Sequence, residues 1–128
     1  MDNDKTGVVA DEAPAEKPSY GLIDRSVLKQ KLDHKFKFQL WNVLPKAHYD
    51  PTVNIPGSSW IPVDTLTEAL AKQKAKKDEY IVVYCGGGQC VSSKTAAEKL
   101  VSWGYTSVFT YEGGLADWKE GGLPLVKI

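Results

Sequence analysis

The feature that most constrains the fold is a short apolar run followed at once by a cysteine and three glycines. Residues 80–84 (YIVVY) are β-branched or aromatic, and the segment CGGGQCV comes directly after them. A continuous apolar run of this length predicts a central parallel strand that is covered on both faces. We therefore expect helices on both sides of a sheet and Cys85 at the carboxyl end of a middle strand.

The rest of the chain alternates between strand-like and helix-like segments. Further strands are predicted at residues 20–23, 36–43, 59–61 and 107–111, and helices at 24–32, 66–76, 92–103 and 115–120. This alternation indicates an α/β fold with three layers, in which a mainly parallel, five-stranded sheet is flanked by helices. Ser92 or Ser93 is expected to cap the third helix at its start, and Gly104 to end it.

Composition limits the classes of function. Residues 1–18 are acidic, alanine-rich and interrupted by prolines, which predicts a disordered arm before one domain at 19–128. Sixteen basic residues balance sixteen acidic ones, so composition gives no support for nucleic-acid binding. No run approaches the roughly 18 apolar residues of a membrane span. The first residues also lack the pattern of a secretory signal. We expect a cytoplasmic protein, or a periplasmic one if a signal peptide has been removed.

The loop after the strongest strand predicts a reactive thiol. Ligands bind at the carboxyl ends of parallel strands, where Cys85 lies. Glycines let successive backbone N–H groups surround an anion, and the following helix start adds N–H donors and a positive dipole end. Such surroundings lower the pKa of a cysteine and favour the nucleophilic thiolate. The alternative is that Cys85 is a small buried hydrophobic residue beside an ordinary turn.

We assign the predicted site residue by residue. Cys85 is the nucleophile. The N–H groups that form the anion cradle belong to Gly86, Gly87, Gly88, Gln89, Cys90 and Val91. Ser92, Ser93 and Lys94 support the junction between the loop and the helix.

A series of short motifs resembles a known family. From the cysteine onward the chain contains, in order, Ala96-Ala97, Leu100, Gly104-Tyr105, Glu112-Gly113-Gly114, Trp118 and Gly122-Leu123-Pro124. Upstream it contains residues 40–43, Tyr49, Ile55-Pro56-Gly57 and Ile61-Pro62. Over roughly residues 20–126 the chain therefore resembles the rhodanese-homology domain, in the form of a single-domain sulfurtransferase with a Cys-x4-Cys loop.

The resemblance implies an activity and its partners. Cys85 would form a persulfide and pass sulfur from a donor (thiosulfate, polysulfide or persulfide) to a thiol or cyanide acceptor. The implied partners are a small sulfur donor and a thiol acceptor, which is a small molecule or a protein. Neither a nucleic acid nor a membrane is implied. No metal or cofactor is expected, and the chain would be a monomer or a homodimer.

The chain departs from the family pattern around the predicted site. The early strand of the family commonly ends in Asp-Val-Arg, which here reads Asn42-Val43-Leu44, and the histidine that often precedes Ile-Pro-Gly is Asn54. The loop contains neither arginine nor lysine, so Lys94 in the next helix is the nearest cation. Thiosulfate is therefore a less secure donor than persulfide or polysulfide.

The loop also carries a second thiol, Cys90, five positions after the first. It could attack a persulfide on Cys85, which would release sulfide and leave a disulfide within the loop. It could instead protect Cys85 from over-oxidation. A third interpretation makes Cys90 a space-filling residue turned toward the core.

Other functions fit the pattern less well or remain as alternatives. A cysteine phosphatase needs an arginine six positions after its cysteine, and that position is Val91. Two cysteines with His34 and His48 in a distant segment do not make a four-ligand metal site. A catalytically inactive rhodanese-like binding module and a thiol–disulfide switch built on Cys85 and Cys90 stay open.

Overall fold

A computed structural model of the chain describes residues 19–88 and 90–128. The arm predicted at residues 1–18 lies outside the described residues, and so does Gln89. The sheet and helices that follow come from the described part.

Five parallel strands form one sheet. They are Gly21–Leu22 (β1), Gln39–Asn42 (β2), Ser59–Trp60 (β3), Ile81–Tyr84 (β4) and Val108–Tyr111 (β5). Their order across the sheet is β1-β5-β4-β2-β3, and every paired strand runs parallel to its neighbour. The predicted fold class is confirmed, with β4 in the middle of the sheet.

Four helices connect and cover the strands. They are Arg25–Asp33 (α1), Glu68–Lys74 (α2), Ser92–Ser102 (α3) and Gly114–Glu120 (α4), with 3₁₀ turns at Lys46–His48 and Val63–Thr65. Asp24 caps α1, because its carboxylate accepts a hydrogen bond from the Val27 N–H at 2.9 Å. Gly104 ends α3 with a φ of +94°, as its place after the apolar pattern predicts.

The second helix begins later than the sequence pattern predicts. Residues Val63–Thr65 form a 3₁₀ turn, and Leu66 is extended and buried between that turn and α2. The Thr67 hydroxyl then caps α2 by accepting from the Leu70 N–H at 3.2 Å. The predicted start near residue 66 is wrong because Leu66 is extended and packs into the core.

Alternation along β4 divides the core into two clusters. Ile81, Val83 and Cys85 face a cluster that includes residues of α2 and α3, whereas Val82 and Tyr84 face one that includes residues of α1 and α4. All four residues of β4 are 0% exposed. Full burial of each such apolar side chain stabilises the fold by about 1.5–3 kcal/mol. This rigid strand fixes the backbone of Cys85 and turns its side chain toward α3.

Candidate active site

Cys85 lies immediately after β4, with 1% of its surface exposed. Its side chain belongs to the core cluster that also contains Leu44 and Ala96. Leu44 follows β2, the strand that pairs with β4, so Cys85 lies where the carboxyl ends of these two neighbouring strands are close together. The thiol is thus placed at the sheet edge where parallel sheets bind ligands, but beneath the surface.

The loop after Cys85 folds back on itself. Gly87 and Gly88 have φ values of +97° and +61°, which favour glycine. The Cys90 N–H donates to the Gly87 carbonyl at 3.1 Å and closes the turn. Cys90 is thereby brought back to Cys85, and the two residues form a disulfide with a Cα–Cα distance of 6.5 Å. Cys90 therefore lies beside the predicted nucleophile and packs against the core cluster that contains it.

The short helix α4 supports the loop from one side. Its Leu115 N–H donates to the Cys85 carbonyl and its Ala116 N–H donates to the Gly86 carbonyl, both at 3.0 Å. Gly114 makes this approach possible, because a Cβ atom there would lie 2.6 Å from the Gly87 nitrogen. In the sequence, Gly113-Gly114 predicts a turn, and nothing local indicates that the turn contacts the cysteine loop.

The bonds to α4 also decide where the loop donors point. In a trans peptide the C=O and the following N–H point in opposite directions. Since the carbonyls of Cys85 and Gly86 face α4, the N–H groups of Gly86 and Gly87 point away from it. Within the described residues, neither of these N–H groups nor that of Gly88 has a hydrogen-bond acceptor. The Val91 N–H has no acceptor there either, so four of the six predicted cradle donors are unpaired within the described residues, whereas the Cys90 N–H is occupied by Gly87.

The start of α3 adds further open donors. The N-cap position is Val91, whose side chain makes no capping hydrogen bond, and Ser92 is the first helical residue. The expectation that Ser92 or Ser93 caps α3 is wrong, because both residues lie inside the helix and Ser93 is buried. Lys94 is exposed in the first turn. An uncapped helix start beside the loop favours negative charge there.

A polar cluster holds α4 in place. The Tyr111 hydroxyl donates to the Asp117 carboxylate, and Arg25 Nη1 donates to the Asp117 carbonyl at 2.8 Å and to its Oδ1 at 3.2 Å. Burial raises the pKa of Tyr111 well above its ordinary value, and the hydrogen bond and charge of Asp117 act in the same direction. The hydroxyl therefore stays protonated and ties α4 to β5, while Arg25 ties it to α1.

A neutral amide pair lies at the end of β2, where the family pattern has charged residues. Asn42 and Asn54 are both 0% exposed, and Asn42 Nδ2 donates to Asn54 Oδ1 at 2.9 Å. Asn42 Oδ1 accepts from the Leu44 N–H at 3.1 Å. Asn54 Nδ2 donates to the Pro51 carbonyl at 3.2 Å. The pair satisfies these buried groups without introducing a charge.

The amide pair predicts a pH-dependent cost for Asn42→Asp. When protonated, the new carboxyl can donate to Asn54 Oδ1 as the amide does. When ionised, it would face that oxygen without a donor, so its folded pKa is raised above the unfolded one. We expect the free energy of unfolding to fall as pH rises between these pKa values, by about 1.4 kcal/mol per pH unit.

Urea unfolding of this variant at several pH values measures the effect. Asn42→Ala removes the same hydrogen bonds without adding a charge, and its cost, about 1–3 kcal/mol, should not depend on pH. Parallel pH profiles for the two variants would contradict the argument.

The described part of the chain contains neither a cluster of possible metal ligands nor a helix that could cross a membrane. No three or more histidine, cysteine, aspartate or glutamate side chains come together there as possible metal ligands. Among the helices of residues 19–88 and 90–128, none has the length and apolar character needed to cross a membrane.

Comparison with known proteins agrees with the geometry. The family model described as Rhodanese-like domain matches residues 24–121, which include every strand except β1. Two curated relatives, from Erwinia tasmaniensis and Escherichia coli O139:H28, are both named tRNA uridine(34) hydroxylase. They are 33% and 34% identical over 87 and 93 residues, and each match covers 62% of this chain. The matches cover 23% and 25% of those proteins, so the chain spans about a quarter of their length.

Solved structures with the same fold include three bacterial proteins. The rhodanese-like domain of Alr3790 from Anabaena has a TM-score of 0.72 and 29% identity, covering 86% of this chain and 81% of that one. The rhodanese-like domain protein from Staphylococcus aureus has a TM-score of 0.64 and 28% identity, covering 77% and 90%. BH2092 from Bacillus halodurans has a TM-score of 0.75, covers 85% and 77%, and at 24% identity shows the fold alone.

Proposed function

The chain belongs to the rhodanese-like domain family, and on that premise we propose that it is a sulfurtransferase that carries sulfane sulfur as a persulfide on Cys85. The observation that carries the proposal is the position of Cys85 beside backbone donors that have no partner among the described residues. Gly86 and Gly87 direct their N–H groups away from α4, and the uncapped start of α3 follows the loop. These donors would stabilise a thiolate and the terminal sulfur of a persulfide.

The transfer takes place in two displacements. The Cys85 thiolate attacks the sulfane sulfur of the donor, and the sulfur–sulfur bond of the donor breaks with its electron pair on the leaving group. That group is sulfite from thiosulfate, a shorter polysulfide from polysulfide, or a thiolate from an organic persulfide. An acceptor thiolate then attacks the outer sulfur of the persulfide, and the Cys85 thiolate is restored.

The lack of a cation in the loop favours some donors over others. A thiosulfate dianion would be held by backbone dipoles alone, because the loop sequence contains neither lysine nor arginine. An organic persulfide group carries at most one negative charge and so places less demand on a cation. Persulfides and polysulfides are the donors we propose. We propose sulfur transfer rather than the hydroxylation in the name of the curated relatives, because Cys85 and its donors are the groups that this domain brings together.

A second candidate function is a thiol–disulfide switch that needs no sulfur donor. The observation that favours it is the disulfide between Cys85 and Cys90. The two functions differ in what a reduced protein does with a sulfur donor, since a switch would lose hydrogen without gaining sulfur.

Intact mass measurement tests the proposal. After reduction and removal of the reductant, Cys90→Ser incubated with polysulfide or thiosulfate should gain about one sulfur, or about 32 Da. Cys85→Ser should gain none under the same conditions. No gain in Cys90→Ser with any donor would overturn the sulfurtransferase. If the wild type then lost two hydrogens on mild oxidation alone, the switch would be favoured.

A further inference from the structure

We propose that Cys90 is a resolving nucleophile that competes with the external acceptor: its thiolate displaces hydrosulfide from the Cys85 persulfide, so the domain releases sulfide. The inference rests on the proposed persulfide chemistry of Cys85 and assigns the step that follows it. It makes Cys90 a catalytic residue rather than a filler or a guard against oxidation.

The proposed step balances without an external oxidant. Cys90 Sγ attacks Cys85 Sγ, and a bond forms between these two atoms. The bond from Cys85 Sγ to the outer sulfur breaks, and its electron pair leaves with that sulfur as HS⁻. The sulfane sulfur is reduced to sulfide while the two cysteine thiols are oxidised to a disulfide.

The structure contains the product of this step. Cys85 and Cys90 are paired, and their Cα–Cα distance of 6.5 Å lies within the usual range for disulfides. The strand before them and the helix after them are both intact. The bonds from Leu115 and Ala116 to the loop carbonyls are also present in this disulfide form. The step therefore ends in a loop conformation that the supporting elements accommodate.

The position of Cys90 gives it an advantage over a dissolved thiol. In the disulfide form Cys85 is 1% exposed, and the loop that carries Cys90 lies against it. Cys90 is held in that loop by the Gly87 and Gly88 reversal and by its own N–H bond to Gly87. A tethered thiol reacts at a high effective concentration and needs no encounter step. We expect it to attack before an external acceptor does.

A purely structural disulfide is the weaker explanation of the pairing. The two cysteines are separated by five positions, and closing so short a loop removes less entropy from the unfolded chain than closing a long one. The pairing also consumes the thiol that the cradle surrounds. If the disulfide is the end of a turnover, the next turnover needs a thiol reductant to open it, so the reaction that must follow is a thiol–disulfide exchange.

The test is a single turnover with one equivalent of glutathione persulfide, without added reductant. This donor leaves as a thiol, so sulfide above the levels seen with both Cys85→Ser and Cys90→Ser comes from attack by Cys90. Reduced wild type should release about one sulfide per chain and end with two hydrogens less than the dithiol form. Cys90→Ser should retain about 32 Da of added sulfur and release little sulfide. Cys90→Ala, with the same expectation, controls for the serine hydroxyl.

The outcomes separate this inference from the function on which it rests. Wild type that keeps the added sulfur and releases no sulfide would overturn the role of Cys90, while the persulfide on Cys85 would stand. Sulfide release from Cys90→Ser at the wild-type rate would overturn it as well. A Cys90→Ser variant that neither gains sulfur nor releases sulfide above the Cys85→Ser level would overturn both, because the persulfide would not form. Wild type that is reduced again with dithiothreitol and then freed of it should release about one sulfide per chain with a second equivalent of the donor.

Discussion

Gly114→Ala is expected to destabilise the domain by about 3 kcal/mol or more and to slow sulfur uptake by Cys85. The residue has a φ of +60°, which is costly for alanine. The new Cβ would also meet the Cys85 carbonyl oxygen, the Gly87 nitrogen and the Gly86 carbonyl carbon. Since these are backbone atoms, α4 and the loop would have to move apart. The bonds that turn the Gly86 and Gly87 N–H groups away from α4 would then be lost.

Gly122→Ala is the matched control for this variant. Its φ of +71° is similar, but no heavy atom lies within 4 Å of the position a Cβ would take. We expect this variant to lower the free energy of unfolding by about 1–2 kcal/mol, which is the cost of the left-handed conformation for alanine, and to leave sulfur uptake unchanged. Urea unfolding of the reduced proteins gives the stabilities, and intact mass against time gives the uptake. Equal losses of stability and of uptake rate in both variants would show that the contact between Gly114 and the cysteine loop contributes to neither.

The sequence predicts the elements of this fold well because their signals are local. The apolar run that forms β4, the Asp24 cap and the Gly104 terminus all depend on neighbours within a few residues. The start of α2 is misjudged for the opposite reason. Leu66 continues the helical pattern in sequence, but packing holds it extended, and Thr67 supplies a better cap.

The candidate site is only partly readable from the sequence, because its geometry depends on contacts between distant segments. Cys85 and the glycine loop follow from order along the chain. The hydrogen bond from the Leu115 N–H to the Cys85 carbonyl does not, since α3 and β5 separate these two residues along the chain. Likewise, the absence of the family's charged residues is visible in the sequence, but the hydrogen bond between Asn42 and Asn54 is not.

Val91→Arg is expected to raise kcat/KM for thiosulfate about tenfold, which corresponds to about 1.4 kcal/mol of transition-state stabilisation. Val91 is 63% exposed, next to Cys90, and occupies the N-cap of α3. A guanidinium there would place a cation beside a loop that has none, and so attract a dianionic donor. The same charge lies at the positive end of the helix dipole, where it should cost about 0.3–1 kcal/mol of stability.

The gain is measured in a Cys90→Ser background, with cyanide as the acceptor, so that Cys90 does not consume the persulfide. Val91→Gln, which is polar and of similar length but uncharged, should leave kcat/KM for thiosulfate within about twofold of the parent, since polarity alone does not attract the dianion. Because the effect is electrostatic at an exposed position, most of the gain should disappear at about 1 M salt. A gain that survives this salt, or that Val91→Gln reproduces, would mean that the lack of a cation does not limit the reaction with thiosulfate. Loss of the gain in salt would instead identify the missing charge as the physical basis of the proposed preference for persulfide and polysulfide over thiosulfate.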